Sequence, residues 1–301
     1  MLTPISAHVG QPLAPHDLWS TWNTDPLLIA GLVLVAWAYL RGTSRLATAR
    51  AGLFLAALGA LGVALLSPLD ALSGALASAH MIQHVLLVLV AAPLLALSAP
   101  TSTILRGTPL RLRRALLRAR RPFRSWVVAV VRRPAAVWLL HVAALWCWHA
   151  AALYDAALQF PLLHAVEHAS FLLTGLLFWQ AVVGRRNPVR LSPGLGIIVV
   201  FAMALQGVVL SLLMTFARAP WYGYEQLATT ASPWPLDPLA DQQLAGVIMW
   251  IPGGMVYLAA ALVLLVTWIH STDEDRTRKR RIGVDLGGTI AQRVRPSCSD
   301  R

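Results

Sequence analysis

The chain has 301 residues, of which 57% are hydrophobic and 13% charged, with a formal net charge of +12 and two cysteines. A soluble domain carries about a quarter charged residues, so lipid is the solvent for most of this chain. The positive charge sits between apolar runs, which makes it a topology signal and excludes a nucleic-acid partner. Cys147 lies inside an apolar run and Cys298 in the basic tail; they sit at different depths, and no disulfide framework is expected.

Residues 1–25 contain Pro, His and Trp but neither Lys nor Arg. They lack the positive start of a secretory signal and are expected to be a short exported segment. Apolar runs follow at residues 26–40, 51–69, 76–98, 134–154, 161–183, 191–217 and 241–269. A helix needs ~17–25 residues to cross a hydrocarbon core ~30 Å thick. Runs of this kind without alternation favour helices over barrel strands, because backbone groups in lipid must pair within their own segment. The expected fold is an all-α integral membrane protein, a bundle of about seven transmembrane helices over residues 26–270.

Lys and Arg set the expected orientation. Arginines follow the first run, crowd residues 106–133 between the third and fourth, recur at Arg185, Arg186 and Arg190, and fill the tail; only Arg218 falls on the other side. This bias fits an odd number of spans with the amino end outside and the carboxyl end cytoplasmic. In residues 106–133 arginines alternate with Leu, Phe and Trp, a pattern that suits an anionic lipid surface as well as plain topology control. The connection at 218–240 is rich in Trp, Tyr and Pro, as interface anchors are. Residues 271–301 are expected to be a basic, disordered cytoplasmic tail. Its stretch IGVDLGGT at Ile282–Thr289 resembles the phosphate-binding start of actin-like sugar kinases, but about a dozen residues follow it and no nucleotide domain can be built from them.

Ionisable residues inside spans are costly and are functional candidates by default. The third run holds His80 and His84 in HMIQH, the fourth His141 and His149, the fifth His164 and His168 in HAVEH. Residues four apart share a helix face, so the third and fifth runs each present a two-imidazole edge. At ~1.5 Å of rise per residue, His84 lies ~12 Å below the outer end of its span, His168 ~10 Å, His149 ~8 Å, and His80 and His164 ~5–6 Å. These five form one slab in the outer half, with His141 deeper. Neutral imidazole is a common ligand for copper, zinc, iron and nickel. The expected metal ligands are therefore His80, His84, His149, His164 and His168, with Met249, Gln242 and Gln243 of the last run as further candidates. Pro252, Gly253 and Gly254 are expected to interrupt that last helix, where a kink shapes a cavity.

Two other readings of the histidines stand beside this one. HAVEH matches the inverted zinc-protease pattern H-x-x-E-H with Glu167 as general base, although no third carboxylate ligand is evident beyond Asp155 and Asp241 near the outer surface. Paired histidines on facing helices also suit axial ligation of haem in a membrane redox protein. A permease would continue its polar residues across the membrane, and only His141 and Gln206 do so.

SAHMIQHVLLVLVAAPLLALSAP at Ser78–Pro100 resembles the third helix of the CtaG family of cytochrome c oxidase assembly proteins. WHAAALYDAAL (Trp148–Leu158), HAVEHASFLLTGLLFWQAV (His164–Val182) and DQQLAGVIMWIPGGMVYL (Asp241–Leu258) resemble its next two helices and its last. The resemblance runs in order over residues 20–270. It implies a bacterial multi-pass plasma-membrane protein, not an enzyme, that acts on cytochrome c oxidase subunits and supports copper handling. The family's characteristic positions fall on His80, His84, His149, His164 and His168, with Gln242, Gln243 and Trp250. The resulting expectation is an outward-facing histidine cluster that binds copper transiently, with haem as the alternative ligand.

Overall fold

The computed structural model describes residues 17–43, 48–119, 121–122, 128–130, 133–184, 191–224, 234 and 236–293. Residues 1–16 of the expected exported segment, parts of the basic stretch and of the 218–240 connection, and the end of the tail with Cys298 lie outside them. The regular elements described are all helical. After a 3-10 turn at Leu18–Ser20 come α1 (Pro26–Gly42), α2 (Thr48–Leu65) and α3 (Pro68–Ser73). Next, α4 (Ala77–Val85) passes through a π-helical turn (Leu86–Ala91) into α5 (Ala92–Ser98), followed by α6 (Pro100–Gly107) and α7 (Leu110–Ala119). The remainder comprises α8 (Pro134–Trp148), α9 (Ala151–Gln159), α10 (Pro161–Val183), α11 (Pro193–Thr215) and α12 (Pro238–Arg293).

Local chemistry explains most of these starts. Proline opens α1, α3, α6, α8, α10, α11 and α12, a position where its missing N–H is not needed and its φ already suits a helix. Asp25, Ser67 and Ser192 add side-chain caps, accepting from the amides of Leu27 and Leu28, of Leu69, and of Leu195 respectively. Helix α5 ends where Ala99 takes a left-handed φ of 49°, which turns the chain into Pro100. Helix α4 has no cap of its own, since Leu76 stands at its N-cap. Asp241 of α12 fills that place from 164 residues away, its carboxylate accepting from Ala77 N at 2.6 Å, from Ser78 N at 3.2 Å and from the Ser78 hydroxyl.

The seven expected spans are not found. Among the described residues four helices are long and apolar enough to cross a membrane: Ala77–Ser98, Pro161–Val183, Pro193–Thr215 and Pro238–Ser271. A fifth is reached only if α8 and α9 count as one span, and these two meet at a bend of 73°. The expected run 134–154 is therefore two helices, broken at His149 and Ala150. The first two runs form shorter apolar helices, Pro26–Gly42 and Ala49–Leu65; 17 residues reach only about 25 Å against a core of ~30 Å. Helix α1 ends where Thr43 turns to extended backbone, and α2 ends just before Ser67 and Pro68 start a new helix. Without seven alternating crossings, the loop charges do not assign the amino end or any loop to a side. Nor do Pro252, Gly253 and Gly254 interrupt the last helix, which runs through them and continues as backbone to Arg293.

Helix α11 lies along α12, α12 also packs on α4, and α10 lies between α5 with the π turn and α8. The central core brings together Phe171, Phe178 and Trp179 of α10, Met203 of α11, and Tyr257 and Leu264 of α12. Trp179 stacks on Tyr257 with centroids 5.7 Å apart, and its Nε1 donates to the Val88 carbonyl oxygen at 2.8 Å. That indole engages the backbone of the π turn, where the wider helix loosens the regular ladder. Helix α1 crosses α6 so closely that a Cβ on Gly42 would overlap the Thr103 carbonyl oxygen and one on Gly107 that of Ala38; only glycine permits this approach.

Replacing Asp241 with Ala strips the first turn of α4 of a buried side-chain acceptor and is expected to cost about 2 kcal/mol. The loss should be read as a lower apparent melting temperature in detergent, and Asp241→Asn should recover part of it through the amide oxygen.

Candidate metal centre

Helices α4 and α10 face each other and put their chemistry on the shared face. The i, i+4 spacing sends His80 and His84 from α4 toward α10, and His164 and His168 from α10 toward α4, with Glu167 between them. His80 and Glu167 are 0% exposed and His84 is 5% exposed. Ring centroids lie 4.3 Å apart for His80–His84, 5.2 Å for His80–His164, 5.6 Å for His84–His168 and 4.1 Å for His164–His168. Glu167 Oε1 is 3.4 Å from His84 Nε2 and 3.6 Å from His80 Nε2.

Neighbouring polar contacts hold both helices in register. Gln83, between the two histidines of α4, donates to Ala64 O at 2.6 Å and to Asp70 Oδ1 at 2.9 Å, while Asn23 holds the other Asp70 oxygen at 2.9 Å. On the opposite side, Trp148 Nε1 donates to Ser170 Oγ at 2.6 Å, and Ser170 donates to Glu167 O at 2.8 Å. The histidine and carboxylate positions are thereby set by groups that do not themselves bind an ion, as in the outer shell of metal sites.

Two overlapping donor sets result. His80, His84 and His168 have ligating atoms within 4.8 Å of one another, and so do His80, His164 and Glu167. Nitrogens bound to one ion at ~2.0–2.1 Å stand ~3–4 Å apart, so small side-chain rotations bring either set onto a metal. Among the described residues no hydrogen-bond partner is found for both nitrogens of His84, Nε2 of His164 and His168, or either carboxylate oxygen of Glu167. A buried polar atom without a partner costs ~1–3 kcal/mol, a cost that coordination of an ion by these donors would offset. The donor chemistry therefore fits a metal ion.

The cluster is buried, which corrects the expected outward-facing slab. Tyrosines cover it: Tyr154 of α9 lies 4.8 Å from the His80 ring and stacks on Tyr222 at 3.8 Å, while its hydroxyl meets that of Tyr224 at 2.8 Å. Tyr222 donates to His149 O and Tyr224 to Ser73 O, both at 3.2 Å. The segment bearing these tyrosines is pinned by Asp155, which accepts from Gly223 N at 2.9 Å, and by Gln242, which accepts from Trp221 N at 2.6 Å. Burial pushes the Tyr222 and Tyr224 phenols well above their ordinary range, so the cover is neutral.

The other expected ligands sit apart. His149 occupies the break between α8 and α9, its ring 5.9 Å from that of His84, outside both donor sets. Gln242 and Gln243 serve loop structure, the latter donating to Ala217 O at 3.1 Å, and Met249 lines a cavity next to His84 and His149. Glu167, considered in the sequence only as a general base, was not placed among the candidate donors, although a carboxylate inside an apolar run was the signal that could have found it. Its place in a donor set with His80 and His164 differs from the protease pattern, in which His164 and His168 would hold the metal and Glu167 would activate water.

Fold and site together define a helical multi-span membrane protein with a buried histidine–carboxylate centre. Over residues 31–271 the chain matches the family of the cytochrome c oxidase caa3 assembly factor, Caa3_CtaG, and it belongs to that family, a bacterial multi-pass plasma-membrane protein. It is 25% identical over 288 residues to an uncharacterized protein of Mycobacterium bovis and to one of Mycobacterium tuberculosis, and 24% identical over 292 residues to one of Mycobacterium leprae. These alignments cover 90% of this chain and 43% of each relative, so the chain spans less than half their length. No solved structure matches the chain.

His80 belongs to both donor sets, whereas His84 and His164 each belong to one. His80→Ala is therefore expected to weaken metal binding by at least about 100-fold and more than His164→Ala does, as measured by competition with a chromophoric chelator in detergent.

Proposed function

We propose that this protein is a non-catalytic assembly factor that supports the delivery of copper to cytochrome c oxidase subunits, with the buried centre holding the ion in transit. The observation that carries this reading is the donor set of buried His80, His84, His168 and Glu167 with half-buried His164, most of whose ligating atoms have no hydrogen-bond partner among the described residues. Imidazole suits copper, and the family is one of oxidase assembly. The centre holds no thiolate, so an ion leaves it more readily than it would a cysteine trap. His149, Met249, Gln242 and Gln243 act around this centre rather than in it.

Space argues against haem. The cavity beside the cluster is about 70 Å³, whereas pockets for organic ligands run ~300–1,000 Å³. A larger pocket of about 400 Å³ is lined by residues such as Leu28, Leu32, Phe54 and Leu95, and no histidine lines it.

Protein purified in detergent and loaded with monovalent copper should retain the metal, and His84→Ala and His168→Ala should each hold less copper than wild type. Equal copper in all three proteins would sink the reading, and a Soret band in the purified wild type would replace it with haem. Membranes of a deletion strain should contain oxidase with less copper and lower activity.

A further inference from the structure

A second set of nitrogen- and sulfur-bearing side chains lines the cavity of about 70 Å³ that adjoins the cluster. His84 and His149 line this cavity, and so do His141 of α8, Met203 of α11 and Met249 of α12. Small residues leave the space open: an added Cβ at Gly207 or Gly254, which also line it, would meet nothing within 4 Å.

His141 is 1% exposed and Met203 is 2% exposed. His141 Nδ1 lies 2.9 Å from Thr174 Oγ1, and Thr174 donates its own proton to Ser170 O at 2.8 Å. The hydroxyl therefore accepts from His141, so Nδ1 carries the ring proton and Nε2 keeps its lone pair. His149 is set the same way, because Nδ1 lies 2.7 Å from Leu145 O, which can only accept. Both Nε2 atoms are buried, and among the described residues neither has a hydrogen-bond partner. An imidazole whose far nitrogen is tied to an oxygen acceptor, with the near one left open, is the arrangement behind metal-bound histidines.

We propose that this cavity is a second copper station, in which His141 Nε2 and the thioether sulfurs of Met203 and Met249 take the monovalent ion. Thioether donors are soft and select monovalent copper over harder divalent ions. His84, a member of the cluster that also lines the cavity, joins the two stations, so the ion passes between a histidine–carboxylate centre and a softer one. This proposal rests on the copper reading above and adds a second, chemically distinct site to it.

The test is copper stoichiometry and copper X-ray absorption on the full-length protein in detergent, loaded anaerobically with monovalent copper. Wild type is expected to hold two ions with both nitrogen and sulfur neighbours. The double variant Met203→Leu, Met249→Leu conserves volume and should lose one ion together with the sulfur signal. His141→Phe keeps an aromatic ring beside Phe178 and should lose the same ion, whereas His168→Ala should lose the other ion and keep the sulfur signal. One ion that His168→Ala removes and the cavity variants leave untouched would overturn this proposal alone. Wild type without copper would overturn both the proposal and the reading beneath it.

Discussion

The carboxylate of Asp241 closes over the first turn of α4, and the placement of the centre follows from that contact. It supplies the cap that Leu76 cannot, accepting from the free amides of Ala77 and Ser78 at the start of the helix. Because Asp241 stands at the start of the last helix, the same bond ties α12 to the helix that carries His80 and His84. Gln242, the next residue, anchors Trp221 and with it the segment that brings Tyr222 and Tyr224 over the cluster. One turn of α12 thus positions both a wall of the centre and its cover.

The cost of that centre is visible in its surroundings. Imidazole nitrogens and both oxygens of Glu167 are buried without hydrogen bonds among the described residues, and the rest of the bundle is built to tolerate them. Gln83, Asp70 and Asn23 form a polar brace on one side, Trp148 and Ser170 on the other. The π turn that follows His84 is held from α10 through the Trp179 indole on Val88. A turn of this kind marks functional positions because it re-aims the residues around it; here it separates the cluster from the apolar core below.

Chemistry within the bundle changes character across His84. On one side stand imidazoles and a carboxylate, and on the other an apolar cavity with His141, Met203 and Met249. Hard and borderline donors therefore meet softer ones through a single side chain. Thr174 and the Leu145 carbonyl engage Nδ1 of His141 and His149, which leaves the two buried Nε2 atoms without a hydrogen-bond partner among the described residues.

Composition and apolar runs were enough to determine a helical membrane protein, because backbone groups in lipid leave few other solutions. The motifs HMIQH and HAVEH determined that α4 and α10 each carry a two-imidazole edge, since helical spacing alone puts His80 with His84 and His164 with His168. Span number was not legible: run length does not reveal the break at His149 and Ala150 or the short reach of α1 and α2, which depend on a 73° bend and on where neighbouring helices pack. Depth estimated along ideal spans therefore placed the histidines in an outward slab, whereas packing buried all of them but the half-buried His164 and laid three tyrosines over the cluster. The role of Glu167 belongs to the tertiary structure as well. A carboxylate between two histidines becomes a ligand, a base or a buried liability according to what faces it, and only the contact of α10 with α4 sets it against His80 and His84.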